Sequence, residues 1–587
     1  MNAPAFAGAR GAALGAVPVA TAHGLGEAAE KLGVIAVALL AALVVLSAPV
    51  ARGADGGAWW SDWPHVPERA RAAALAAVLV LAPVLLAIDV WHTVQFEHLR
   101  AHTAQAAGVA VAGLAVVAAL AVLIHRRPQA FAVLALVALP FRLPVSTGGS
   151  TSNLLIPLYV VVAGGALAYI VRRLSGGVGT SDPALDGARD GDPPDPDSAR
   201  EGDPVGDSAR RRGWALMTPR VLEWLLMSSV ALYALQAAYS ADFSKALENV
   251  VFFYVPFALL FMLLRELRWT RELVLTCLAT AVALAVLLAG IGFVEYYRKH
   301  LFLNPKVVAA NQYDNFFRVN SLFFDPNIYG RFLALVMVAV MGAVLWSVRR
   351  RTVLLGGAAL LWLLAGLATS FSQSSIAALL LGLAILAAWR WDVRSTLYVV
   401  VAAVAVAAVV VVLAPPSLHL GLSGKGGSAS NATSGRTKLI KGGLRLFADR
   451  PLQGFGPGSF ALEYRRHEHV EGQSATSASH TIPITVAAEQ GIVGVALYVA
   501  LLVCAFAVLF TGAGRSPPRI ALAACFAALV LHTFTYADFL EDPLTWTLLG
   551  IGVALAAADG AGIASSRAAR IGTSERHRGT TATGHPA

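Results

Sequence analysis

Leu273-VLTCLATAVALAVLLAGIGF-Val294 runs 22 residues without one charged side chain, between Arg271-Glu272 and Glu295. An α-helix of that length and composition crosses about 30 Å of hydrocarbon at roughly 1.5 Å per residue. The run has companions along the whole chain. About fifteen candidate spans lie near 32–50, 70–90, 106–124, 129–147, 153–171, 220–240, 249–264, 272–294, 328–347, 353–370, 374–391, 396–414, 483–510, 519–537 and 542–558. Hydrophobic residues make up 57% of the 587 positions and charged residues 14%, which is too few for a soluble domain array. The alternating ten-residue pattern of a transmembrane β-barrel is absent from the sequence. The expected fold class is an all-α polytopic membrane protein. No cleavable signal peptide is evident.

The formal charge of +10 sits in short clusters at helix ends, which reads as topology rather than nucleic-acid binding. Arg126-Arg127, Arg172-Arg173, Arg265 with Arg268 and Arg271, Arg349 to Arg351, Arg390 with Arg394, and Arg515 with Arg519 fall on every second loop. These loops and the basic tail are assigned to the cytoplasm, and the intervening loops to the extracytoplasmic face. The three cysteines, Cys277, Cys504 and Cys525, stand alone in apolar runs and signal neither disulfides nor zinc. Residues 174–213, rich in Asp, Pro and Gly, read as a disordered cytoplasmic linker. Residues 415–482 form a large outward loop in which the polar chemistry collects.

Within that loop, Arg436-Thr-Lys-Leu-Ile-Lys-Gly-Gly-Leu-Arg-Leu-Phe447 places Lys438, Lys441 and Arg445 at helical spacing. Leu439, Ile440, Leu444 and Phe447 lie on the other side. Such a helix lies at the bilayer interface, either as an anchor to anionic lipid or as a reader of a lipid-linked diphosphate. Gly454-Phe-Gly-Pro-Gly-Ser-Phe460 lacks a preceding strand and contains Pro457, so it reads as a turn rather than a nucleotide loop. Arg318 is an outward cation beside the membrane, and Asp325-Pro-Asn327 is a ready helix cap. His480, at the mouth of the thirteenth span, suits proton transfer near neutrality. His467 and His469 read as solvated surface, and Asp538, Glu541 and Asp542 as loop acids.

Taken together these residues resemble the O-antigen ligase and polymerase superfamily. The matching pieces are Arg318-x-x-Ser-x-Phe-x-x-Pro-Asn327, Thr369-Ser-Phe-Ser-Gln-Ser374 and Gly435-Arg436. They continue with Asp449-Arg-Pro-Leu-x-Gly-x-Gly-Pro-Gly-x-Phe460 and with His480 leading to Ala488-Glu-Gln-Gly-x-x-Gly494. Where the family often has Ser-Arg and His-Asn, this chain has Ser372-Gln373 and His480-Thr481. The resemblance implies a GT-C-like helical bundle in the bacterial inner membrane. It also implies glycosyl transfer from an undecaprenyl-type diphosphate to an acceptor hydroxyl, glycan or lipid, on the extracytoplasmic face. Arg318, Arg436 and His480 match the catalytic residues, while Lys438, Lys441 and Arg445 would bind substrate. No cofactor, metal or nucleic acid is implied.

The expected organisation is three additional N-terminal helices over 1–128, the first core helices over 129–173 and the acidic linker over 174–219. Core helices over 220–414 follow, then the catalytic loop 415–482, C-terminal helices 483–558 and a basic tail 559–587. A polymerase of lipid-linked repeats is the alternative within the class. Outside it stand a secondary transporter, disfavoured by sparse mid-membrane charge, and a non-catalytic scaffold.

Overall fold

The computed structural model describes residues 17–47, 67–90, 101–147, 150–175, 205–303, 317–392, 436–469, 481–536 and 538–558, with Arg394 and Tyr398. Among them are ten helices long and apolar enough to cross a membrane, and the protein is an all-α polytopic membrane protein. The first half comprises α1 (Val17–Leu46), α2 (Glu68–Val90), α3 (Thr103–Arg126), short α4 (Ala130–Ala138), α5 (Ile156–Ser175) and α6 (Val205–Ala237). Next come α7 (Phe243–Asn249), a π-helical turn (Val250–Tyr254) and α8 (Val255–Arg265), together one span. They are followed by α9 (Arg271–Arg298), α10 (Pro326–Leu345), α11 (Arg350–Ser370) and α12 (Gln373–Arg390). Two short helices, α13 (Arg436–Asp449) and α14 (Phe460–Glu468), precede α15 (Ile482–Phe510), α16 (Pro517–Thr533) and α17 (Pro543–Ala558).

Two expectations need adjustment. The run at 129–147 is not one span: α4 stops after nine residues, and a hairpin of β1 (Leu143–Thr147) and β2 (Ser150–Leu154) follows. Pro140 and Pro144 explain the break, since neither can donate to a continuing helix and each biases its predecessor away from helical angles. Helix α5 reaches Ser175 and α6 begins at Val205, so helix occupies both margins of the stretch read as linker. Residues 176–204 and the candidate span 396–414 lie outside the described residues.

Two apolar clusters hold the bundle. One joins α1, α2, α5, α6, α8 and α15, and the other joins α9, α10, α11, α12 and α16. Small residues bring backbones together in the second: a Cβ on Gly342 would meet Ala521, and one on Gly382 would meet Val338. Such positions let helices approach where lipid offers no hydrophobic drive. Helices α1 and α2 are docked, α1 on α6 and α2 on α5.

The two ends of the bundle differ. At one, Arg71 pairs with Glu266 (2.5 Å), Arg173 with Glu68 (2.7 Å) and Arg265 with Glu223 (2.5 Å). Arg220 also reaches the Leu46 carbonyl there. At the other end lie the hairpin, the start of α10, the α11–α12 turn, the α13–α14 unit and the α16–α17 connection. Antiparallel alternation of the helices puts these five together, and they carry the polar groups described next.

Candidate functional site

Asp325 caps α10, its Oδ1 accepting the Asn327 N–H (2.6 Å), with Pro326 in the first turn where no donor is needed. That cap brings Asn327 to Arg318. Arg318 is half-buried; its Nε donates to the Ser370 carbonyl (3.1 Å) and its Nη2 to Asn327 Oδ1 (3.2 Å). The backbone follows suit, as Val319 N–H donates to Thr369 O (3.2 Å). Helix α11 ends at Phe371 in left-handed geometry (φ 49°), and Ser372 at once caps α12. Three buried serines, Ser372, Ser374 and Ser375, thus face Asn327 on one side and buried His532, from the last turn of α16, on the other. The Ser372 hydroxyl donates to Asn327 Oδ1 (3.0 Å).

Behind Arg318, Glu295 at the end of α9 is fully buried. Its two oxygens accept the N–H groups of Phe302 (3.0 Å) and Ser321 (2.7 Å). One carboxylate therefore holds both ends of the segment that delivers Arg318.

The α13–α14 unit is a second polar element. Helix α13 opens at Arg436 and exposes Lys438, Lys441 and Arg445, the last paired with Glu468 of α14 (2.7 Å). Leu439 and Leu446 are buried in a cluster with Phe455, Phe460, Tyr464 and Ala488. The apolar face of this helix therefore packs on protein, whereas sequence reading placed it in the bilayer interface. Leu444 stays exposed. His467 is exposed, as expected, with its Nδ1 2.9 Å from the Glu463 carbonyl.

The Gly454–Gly458 turn docks this unit onto α15 and the end of α6. Gly454, Gly456 and Gly458 have φ of 68°, 94° and 75°, which side-chain-bearing residues rarely adopt. Gly491 (φ 65°) breaks α15 opposite the turn, and Ile492 N–H is satisfied by Pro451 O (2.8 Å). Gly456 N–H donates to Glu489 O (2.9 Å), Ser240 Oγ to Pro457 O (2.7 Å) and Tyr239 to Gln453 O (2.7 Å). The buried Glu489 carboxylate accepts Phe460 N–H (3.0 Å), which satisfies the start of α14 from a neighbouring helix.

The three loop acids do not converge on one point, and no group of three potential metal ligands gathers among the described residues. Asp542 is buried against Arg331 of α10, Nη2 to Oδ2 2.9 Å. Nε, Nη1 and Nη2 of Arg331 make no aligned hydrogen bond among the described residues, and the guanidinium lies 5.8 Å from the Tyr536 ring. Asp538 and Glu541 form a neighbouring pair. Burial raises the pKa of both, opposed at Asp538 by Arg331 and reinforced at Glu541 by Asp538. Asp538 has φ 92°, a strained value for a residue with a Cβ. Glu541 accepts from Asn249 (3.1 Å) and lines a cavity with Tyr254, Gln490, Tyr498 and Phe539.

Of the residues singled out from sequence, Arg318 lies in a built network, while Lys438, Lys441 and Arg445 share the exposed face of α13. Arg436 opens that helix. His480 lies outside the described residues, next to Thr481, the cap of α15. Asn327 was read as part of a helix cap and Glu489 as part of a motif, neither as a site residue, and Glu295, Arg331 and His532 were missed. An ionisable residue inside or at the edge of an apolar run was the available signal for all but Asn327. Residues 358–499, about a quarter of the chain, match a family model described as O-antigen ligase. The matched stretch contains Ser372, α13, α14 and Glu489, and stops short of His532. No curated protein matches the chain.

Proposed function

We propose, from the match of residues 358–499 to a family model described as O-antigen ligase, that the chain belongs to the O-antigen ligase/polymerase superfamily and is a glycosyltransferase working at a lipid-linked diphosphate. The donor is a glycan on a polyprenyl diphosphate in the inner membrane, the acceptor is a hydroxyl of a second glycan or lipid, and the active face is extracytoplasmic. Arg318 is the observation that carries the reading. It is a cation seated between the end of α11 and the start of α10, its fork fixed by Ser370 O and Asn327 before any substrate arrives. Fixed cations suit the charge that develops on a departing diphosphate. Arg436 supplies the second cation, with Lys438 and Lys441 on the same helix for further phosphate or lipid oxygens.

The chemistry is a single displacement. His480 accepts the acceptor's hydroxyl proton while that oxygen bonds to the anomeric carbon. The bond from that carbon to the diphosphate oxygen breaks, its electron pair leaves on the diphosphate, and configuration inverts. In this reading the two arginines provide the electrostatic assistance and no metal is required. The test is purified protein in nanodiscs with a defined polyprenyl-diphosphate glycan, an acceptor and EDTA. An inverted glycosidic product supports the reading. Hydrolysis only, no reaction, or activity abolished by EDTA sinks it. Product length separates ligase from polymerase, since one addition per acceptor marks the first and a ladder the second.

A further inference from the structure

A hydrogen-bond chain leads from Arg318 into the bundle, and its direction can be worked out proton by proton. An arginine only donates, so the Asn327 amide atom facing Arg318 Nη2 is the oxygen. Ser372 gives its single proton to that same oxygen at 3.0 Å. At its 2.8 Å contact with Ser375, Ser372 must then accept, so Ser375 spends its proton there, the Asn327 carbonyl at 3.3 Å being the longer alternative. Either way Ser375 has nothing left to offer His532, whose Nε2 lies 3.2 Å from its oxygen. Two lone pairs facing each other at that distance repel. The proton therefore sits on the imidazole: Nε2–H points at Ser375, with Ser374 at 3.2 Å as a second acceptor, whereas a Ser374 hydroxyl turned toward a bare Nε2 would still leave the Ser375 contact repulsive.

We infer that His532, held with its proton on Nε2, is a positioning residue that anchors the Asn327 oxygen on Arg318 through Ser375 and Ser372. Every proton in the chain runs toward that oxygen. Were Nε2 an acceptor, Ser375 would turn its proton to it, and Ser372, 2.8 Å from a Ser375 lone pair, would have to turn its own proton to Ser375. The Asn327 oxygen would then keep Arg318 without the second proton that fixes its angle. His532 is fully buried and is linked to Arg318 by the relay, so its role is orientation and not contact with substrate. The inference rests on the proposed role of Arg318 for its kinetic consequence, but not for the tautomer.

The experiment has two arms on the full-length protein. Nitrogen NMR of 15N-histidine-labelled protein, with the His532 signals identified by their loss in His532→Gln, reads the tautomer. A protonated Nε2 is expected, and a bare Nε2 overturns the proposal. Single-turnover transfer then compares His532→Phe, Asn327→Ala, the double variant and His532→Gln, each checked for an unchanged melting temperature. Each of the first two should slow turnover ~10–100-fold, the scale of a misplaced catalytic group, with a smaller change in KM. The double variant should be hardly slower than either, because both cut one chain. His532→Gln, which keeps a donor, should recover most of the rate. Additive losses, or no recovery by Gln, overturn the proposal. A wild-type protein without glycan transfer would remove the functional reading alone, leaving the tautomer to decide.

Discussion

Arg318 and Arg436 carry different expectations from His480. Arg318→Ala loses charge-assisted hydrogen bonds of about 1.5–3 kcal/mol each, and should weaken donor binding as well as turnover. Arg318→Lys should recover only part, because an ammonium cannot bond Ser370 O and Asn327 while presenting a planar edge. His480→Ala should leave donor binding nearly intact and lower turnover ~10²–10⁴-fold. Loss of donor binding in that variant, measured with the lipid donor in nanodiscs, would move His480 into the donor site. Glu541 carries a stability prediction. A carboxyl whose pKa is raised by folding keeps its proton where the unfolded chain has lost it. Stability therefore falls as pH rises from about 4.3, the unfolded value, through the raised one. Glu541→Gln should melt above the parent at pH 8, with the gap closing toward pH 4; a gap constant with pH would refute this. Arg318 was legible in the sequence because an outward arginine beside a span is uncommon. His532 showed only as an ionisable residue in an apolar run, and its partnership with Ser374 and Ser375 was not legible, since they lie more than 150 positions away in sequence.

The helices were legible because a membrane demands long apolar runs, and α9 occupies the run quoted at the outset with one turn added at its far end. What joins the helices to the polar segments was not legible. Glu295 and Glu489 do this in the same way, each a buried carboxylate near a helix end that accepts backbone N–H groups from the segment beside it. Removing either leaves buried donors unsatisfied, at about 1–3 kcal/mol per group. Glu489→Ala should therefore lower the melting temperature and loosen α13, seen as a broadened distance between spin labels at Leu444 and Val499. Glu489→Gln, whose amide oxygen still accepts, should hold both. Equal broadening in the two variants would mean that the charge and not the acceptor matters. Gly454→Ala should resemble Glu489→Ala, because its Cβ would lie 2.3 Å from the Glu489 backbone. The sequence reading saw a turn in the Gly454–Gly458 stretch. It had no means of finding the break at Gly491 that receives it, since that pairing is made only in the folded chain.

For the whole molecule the arginine pattern assigns sides, and labelling of intact cells tests it. A cysteine placed at Ser428 should react with an impermeant reagent from outside, and one placed at Ser198 should not; the reverse result would invert the proposed site with the topology. Sparse mid-membrane charge was read from the sequence as an argument against transport, and Arg331 qualifies that reading. It is fully buried on α10, against Asp542 at the start of α17. Asp542→Ala leaves that charge uncompensated and should cost about 3–5 kcal/mol, while an apolar replacement of both partners should restore most of the loss. The pair also has a consequence in time. Asp542 is synthesised 211 residues after Arg331 (542 − 331), which at about 5–20 residues per second is roughly 10–40 s of translation. Throughout that wait the nascent α10 carries an arginine toward the membrane with its counter-ion not yet made, a cost of about 2.5–3.5 kcal/mol against insertion. Nascent chains stalled before residue 542 should therefore hold α10 at the insertion machinery, and chains extended through α17 should release it into lipid. Arg331→Leu should let the short chains insert at once, making the ion pair a clock for the order in which this bundle is built.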